Sequence, residues 1–340
     1  MIFCFGELLL RMSPALGRQW IRDHQMPVYI GGAELNVATA LAGWDIPNKY
    51  CTALPENYLS TEILEDVKTR GIDTSPVYFS GNRIGSYYLP QGADLKNTGV
   101  IYDRSHSSFA ELTPGCIQWE EVLKDCTWFH FSAISPALNN NVAAVCREAL
   151  YYASQKGITI SIDLNFRSKL WQYGKKPTQV MPELVNYCNV IMGNIWAANS
   201  LLGFPVDENL QDKPSKERYL SHATETATQI RQQFPACDTV ANTFRFDKGD
   251  GIHYYAALDN KKGQVVSPEM HTDKVIDKVG SGDCFMAGLI YGLHKNLPAQ
   301  DTISFAAAAA FGKLQEKGDA TSQSVNDVNA ILKKEWTGIN

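Results

Sequence analysis

Short apolar runs alternate with amphipathic segments along the chain. Runs at 2–5, 50–54, 128–132, 158–163, 190–193 and 239–243 are largely apolar, β-branched or aromatic and predict buried strands. Between them, apolar residues recur at helical spacing over 34–43, 61–70, 142–156, 182–187 and 221–234. The last third closes with helical patterns at 284–293, 302–317 and 325–336, and the run "FAAAAAFGKL" offers small residues suited to tight helix packing. Strand–helix alternation of this kind predicts an α/β fold, a mostly parallel central sheet with helices on both faces. Two segments, 8–30 and about 78–104, show no good helical pattern. The second, "YFSGNRIGSYYLPQGADLKNTGVIYDRSHSSF", alternates aromatic, polar and glycine positions as half-exposed strands do. Both predict a small β-sheet outside the main one. The polar stretch 207–216 reads as a surface insertion, and neither an internal repeat nor a low-complexity linker is visible.

At 340 residues, 44% hydrophobic and 20% charged, the chain has material for one large domain. A net charge of −5 argues against a nucleic-acid or anionic-membrane binder in bulk. The eight cysteines form no C-x-x-C pair and no zinc-like cluster with histidine. They read as reduced, buried thiols of a cytoplasmic protein. The opening "MIFCFGELLLR" lacks a basic leader and a cleavage site, so it reads as a first strand and not as a signal peptide. No apolar run is long enough to span a bilayer.

Three stretches carry chemistry. In "DKVGSGDCFMAGLIYGL", Gly280-Ser281-Gly282 precedes Asp283 at the mouth of an apolar helix. Unpaired N–H groups and the helix dipole make such a turn an anion site, most naturally for phosphate. A carboxylate beside a bound phosphate would suit a base that takes a proton from an attacking hydroxyl. Taken alone, Asp283 would equally suit a helix cap. In "GGAELNVATALAGW", Gly31 and Gly32 would let backbone approach a ligand and Asn36 adds a polar group, though an ordinary loop–helix junction looks the same. In "DLNFRSKLW", Asn165 and Arg167 follow a buried strand, where ligands of open α/β sheets sit. An arginine there suits a carboxylate or phosphate, or a surface salt bridge.

In this order the three stretches resemble the signatures of the PfkB, or ribokinase-like, carbohydrate kinases, and the resemblance covers nearly the whole chain. It implies a single kinase domain over 1–340 with a ribokinase-like fold, in which segments 8–30 and 78–104 form a β-sheet lid. It further implies that Gly280, Ser281 and Gly282 form an anion hole, that Asp283 is the catalytic base, and that ATP with Mg²⁺ is used. Thr243, Arg245, Gly251 and Asn194 then fall on the nucleotide side. No residue is assigned as a direct metal ligand. A homodimer through the lid is what the resemblance allows. A nicotinamide dehydrogenase fits poorly, since no G-x-G-x-x-G follows the first strand.

Within the family the chain is most similar to 2-keto-3-deoxygluconate kinases, through Gly6-Glu7, "RIGSYYLPQGA", "VIYDRSHSSF" and "DLNFRSKLW". Carried over, the substrate would meet Gly32, Asn36, Tyr87, Tyr102, Arg104 and Arg167. Two guanidinium groups suit a sugar acid's carboxylate better than a neutral sugar. Arg104 could instead pair with Asp103 or Asp94. The chain departs from the family pattern at Lys278, where Thr is usual, at Ser281 for Ala, and at Ala197 for a Glu near the Mg²⁺ region. The expected activity is ATP-dependent phosphorylation of a sugar-acid hydroxyl. The alternatives are a fructokinase or other neutral-sugar kinase, and a catalytically weak sugar-binding protein on the same fold.

Overall fold

The computed structural model describes residues 1–15, 17–91, 99–210 and 215–337. The runs predicted as strands form Ile2–Phe5, Asn48–Cys51, Trp128–Ser132, Thr159–Asp163, Val190–Gly193 and Thr239–Lys248, but the run 50–54 breaks at Thr52, and its end, Ala53–Leu54, pairs with Tyr78–Phe79 in a two-stranded sheet of its own. Their side chains alternate between two cores. Phe3, Phe5, Phe129, Phe131, Ile160 and Ile162 pack on one face of the sheet with Val145, Leu150, Leu184 and Leu201 of covering helices. Ile2, Cys4 and Trp128 pack on the other with Leu35, Leu41, Phe285 and Leu289. Burial on both faces explains why these strands read as continuous apolar runs.

Among the described residues the main sheet has nine strands. From Asn48–Cys51 it runs through Ile2–Phe5, Trp128–Ser132, Thr159–Asp163, Val190–Gly193 and Thr239–Lys248, all parallel. The far edge is antiparallel. Thr239–Lys248 turns back into Gly251–Asn260, which pairs with Gly263–Val266 and Met270–Thr272. A separate four-stranded sheet has the order Val28–Gly31, Leu9–Met12, Gly85–Tyr88, Ile101–Asp103, so its strands come from the two irregular segments, the first of which it extends by one residue to Gly31.

Several expectations need correcting. Segment 8–30 contains a five-residue helix, Gln19–Asp23, between left-handed Arg18 and His24 (φ 65° and 53°). It is too short to show a period. The helix expected at 182–187 runs Pro177–Val185, because the first-turn proline is Pro177 and Pro182 lies inside. The helix expected at 221–234 starts at Lys216, where the Ser215 hydroxyl accepts from the Arg218 N–H at 3.3 Å. Part of the stretch 207–216 is one 3₁₀ turn, Glu208–Leu210, and 211–214 lie outside the described residues.

Helix Ser281–His294 packs closely against Ala299–Lys313. A Cβ on Gly288 would stand 2.6 Å from the Ala306 Cα, and one on Gly292 2.7 Å from Thr302. The small residues of "FAAAAAFGKL" therefore seat the helix whose first turn carries Asp283.

Candidate active site

A cavity of about 550 Å³ opens at the carboxyl ends of the parallel strands. Asn165 and Arg167 reach it from the loop after Thr159–Asp163, and Asn194 from the end of Val190–Gly193. Thr243 and Arg245 come from the next strand, and Gly32 and Asn36 from the start of helix Ala33–Gly43. Tyr87 and Tyr102 enter from the small sheet and Arg104 from just after its last strand, while Gly280, Ser281, Gly282 and Asp283 close the floor. One predicted residue stays outside. Gly251 sits at the hairpin opposite Lys248, and a Cβ on it would meet the Thr272 carbonyl at 2.1 Å. Its glycine is explained by backbone packing, not by the cavity.

The glycine-rich turn has distinct constraints at each position. Gly280 has φ 78°, and a Cβ there would lie 1.8 Å from the Asp319 carbonyl. Ser281 donates its hydroxyl to the Ala310 carbonyl at 3.0 Å, which accommodates serine in place of the usual alanine. A Cβ on Gly282 would meet nothing within 4 Å. The protein's own packing does not demand that glycine. The first hydrogen bond of the helix runs from the Cys284 N–H to the Gly280 carbonyl at 2.8 Å. The N–H groups of Ser281, Gly282 and Asp283 therefore precede the helical ladder.

Asp283 does not cap the helix: no side-chain cap bond is made there. Its Oδ2 accepts from Asn36 Nδ2 at 2.7 Å. Burial pushes its pKa up to about 6, against the lowering effect of the Asn36 bond and of the Arg167 charge. The Oδ1 of Asn36 is buried and has no partner among the described residues, so it is available to a ligand hydroxyl. Glu34, one residue into the same helix, accepts from the N–H and hydroxyl of Ser132 at 2.9 and 2.6 Å. Burial raises it to about 7.

The two arginines differ. Arg104 is buried and paired with Glu7, Nε to Oε2 at 2.6 Å, and Ser107 donates to the other Glu7 oxygen at 2.5 Å. Of the partners considered from sequence, Asp103 pairs with Arg83 at 2.8 Å instead, and Asp94 lies outside the described residues. Arg167 lines the cavity with no ion pair among the described residues, donating only to the Phe166 carbonyl at 3.1 Å. Tyr87 donates its hydroxyl to Asp319 Oδ2 at 3.0 Å and packs against Tyr102 at 6.3 Å between ring centres.

Also at the cavity, the Asn194 oxygen caps helix Ile195–Leu202, accepting from the Ala197 N–H at 2.8 Å. Ala197 itself lines the wall. Lys278 also lines it and pairs with Asp247 at 3.1 Å, so it does not simply point to solvent. Sequence reasoning named neither Glu7 as the partner of Arg104 nor Asp319. Asp319 forms an ion pair with Arg11, Oδ1 to Nε at 2.7 Å, and accepts the Tyr87 hydroxyl at its other oxygen. Glu7 lies in the quoted Gly6-Glu7 pair, whereas Asp319 follows a helix end with no local signal. Among the described residues, no group of three or more His, Cys, Asp or Glu side chains could hold a metal ion, and no helix is long and apolar enough to cross a membrane.

The same fold recurs in known proteins. The crystal structure of a 2-dehydro-3-deoxygluconokinase from Thermotoga maritima matches with a TM-score of 0.88 at 30% identity, covering 98% of this chain and 99% of that one. A 2-dehydro-3-deoxygalactonokinase of Haloferax volcanii is 26% identical over 335 residues, 98% of this chain and 97% of its own length. A 2-dehydro-3-deoxygluconokinase of Bacillus subtilis is 24% identical, spanning 85% of this chain and 82% of its own. The model of the pfkB family carbohydrate kinase matches residues 1–326, glycine turn and small sheet included, and the chain belongs to that family.

Proposed function

We propose that the chain transfers the γ-phosphoryl group of ATP to the primary hydroxyl of a sugar acid, turning 2-keto-3-deoxygluconate into its 6-phosphate. One observation carries the reading. A buried carboxylate raised to about 6 stands on the first turn of a glycine-opened helix, held by an asparagine whose oxygen is unpartnered. The N–H groups of Ser281, Gly282 and Asp283 would hold the transferring phosphoryl group. Asp283 would accept the proton of the attacking hydroxyl as the new O–P bond forms and ADP leaves. Asn36 would orient both the base and the sugar.

Arg167 supports an acid over a neutral sugar, because its charge is left for a ligand. Arg104 contributes less charge than expected, since Glu7 already neutralises it; its role is to shape the sugar side. The names of the relatives point to 2-keto-3-deoxy acids as well. Tyr87, Tyr102 and Arg104, near the small sheet, would cover the sugar and exclude water. Asn194, Thr243 and Arg245 would flank the nucleotide. Mg²⁺ would arrive with ATP, bound by phosphate oxygens and water as that ion commonly is. This fits a wall with alanine at position 197 and no carboxylate cluster among the described residues.

A coupled ADP-release assay with Mg-ATP tests the reading. The panel is 2-keto-3-deoxygluconate, 2-keto-3-deoxygalactonate, gluconate, fructose, ribose and tagatose. We expect the 2-keto-3-deoxy acids to exceed fructose in kcat/KM by at least about 100-fold, the discrimination expected of a charged pair against a missing group. Preference for fructose would remove the carboxylate role of Arg167. Silence on the whole panel with measurable sugar binding would favour the weak sugar-binding reading.

A further inference from the structure

Lys313 is the last residue of helix Ala299–Lys313 and is fully buried. Lysines are almost never buried without a reason, because an ammonium loses its water. Here the ammonium donates to the Gly318 carbonyl at 2.9 Å and to the Glu316 carbonyl at 3.2 Å. Burial lowers its pKa, while Asp277, Glu316 and Asp319 act to keep it charged. It does not line the cavity. It lies directly behind it: a Cβ on Gly280 would be 3.4 Å from Lys313 Cε and 1.8 Å from the Asp319 carbonyl.

The loop that Lys313 holds is the support of the glycine turn. The Asp319 carbonyl faces Gly280, and its carboxylate takes Arg11 and Tyr87 from the small sheet. Asp277 accepts from the Val279 N–H at 3.0 Å and the Gly318 N–H at 3.3 Å, tying the same loop to the strand of chain entering the turn. Three carboxylates, Asp277, Asp283 and Asp319, thus surround a turn that must receive an anion. Without compensation their charge would repel phosphate.

We propose that the Lys313 ammonium is a built-in cation for the phosphate-binding turn, a positioning residue that fixes the loop 316–319 beneath Gly280 and offsets the carboxylates around it. The inference rests on the phosphoryl-transfer reading above, and wild-type ADP release checks that reading separately.

The test compares wild type with Lys313→Ala in Mg-ATP and saturating sugar acid, in buffers of equal ionic strength made with tetramethylammonium, sodium, potassium, ammonium or methylammonium chloride. Wild type should vary by less than about twofold, because its cation is covalently supplied. Lys313→Ala should lose about 100-fold in kcat/KM for ATP, comparable to losing one donor of an oxyanion site. Its direct affinity for the sugar acid should stay within about threefold, a separation that general loosening would not give. Ammonium or methylammonium should restore activity about tenfold or more by filling the vacated cage. Activation of wild type by a small cation would overturn the proposal, as would full activity of the variant or a loss no cation repairs. If Lys313→Ala does not fold, Lys313→Met, of similar length, takes its place with kcat/KM and sugar affinity as readouts. If neither folds, Lys313 is an element of the fold and the proposal fails.

Discussion

Asp283 shows what one residue's surroundings set. Its raised pKa of about 6 comes first from burial. Above pH 6 it is ionised and able to accept a proton; below, it is not. The acid limb of kcat/KM should therefore fall near pH 6, and a limb near pH 4 would mean the base is another group. Asp283→Asn should cost several orders of magnitude in turnover while sugar binding persists. The same substitution should stabilise the fold above pH 6, where the buried charge costs most, by roughly 1–3 kcal/mol. That gain should fade as pH drops from about 6 to about 4, where Asp283 is neutral in both states. Thermal unfolding at pH 5 and pH 8 reads the sign. Arg167→Ala should raise the sugar-acid KM about 10- to 100-fold with little change for a neutral sugar, as loss of a charge-assisted bond requires. An unchanged KM would reassign the carboxylate contact.

At this scale the sequence exposed residues that lie inside short signatures. Asn36, Arg167 and Asp283 stand in stretches whose glycines and strand ends mark them. It did not expose pairings made across the chain. Arg104 meets Glu7, 97 positions away, and Arg11 meets Asp319 near the other end. Neither distance leaves a local pattern.

Among the elements, the parallel strands were legible because both faces are buried, which erases alternation and leaves plain apolar runs. The antiparallel edge was not. The hairpin Thr239–Lys248 to Gly251–Asn260 mixes Arg245 and His253 with apolar residues, and the outer half of its first strand is less deeply covered. Helix starts were misplaced where capping chemistry, not hydrophobic period, decides them, as at Ser215 and Pro177. The glycine turn is an element in its own right. Gly280→Ala should leave the long helix intact yet displace the Asp319 carbonyl that its Cβ would strike at 1.8 Å. The left-handed φ adds roughly 1–2 kcal/mol of strain. We expect a higher ATP KM and a lower kcat with near-normal sugar affinity; equal kinetics would show the turn tolerates the shift.

On the scale of the molecule, the small sheet is joined to the main body at a few buried charged contacts. Arg11, on Leu9–Met12, reaches Asp277 at 3.0 Å and Asp319 at 2.7 Å, and all but Asp277 are nearly sealed from water. Arg11→Met would leave Asp319 buried without its ion-pair partner, at a cost of about 3 kcal/mol. Denaturant unfolding should show that loss, and the KM values for sugar and for ATP should rise together. A change in only one of them would mean that the sheet senses a single ligand.

Asp319 joins the two halves of this arrangement. Its main-chain oxygen rests against Gly280, and its carboxylate is gripped by Arg11 and Tyr87 from the small sheet. If the small sheet covers the sugar as proposed, a shift of it on binding would alter the free energy of the turn proposed to receive nucleotide. Thermodynamic reciprocity requires the converse in equal measure: whatever factor sugar adds to nucleotide affinity, nucleotide adds to sugar affinity. Through Asp319 the two ligands would thus be bound as a correlated pair, and the enzyme would discriminate against nucleotide held in an empty sugar site beyond what their shared contact with Asp283 supplies.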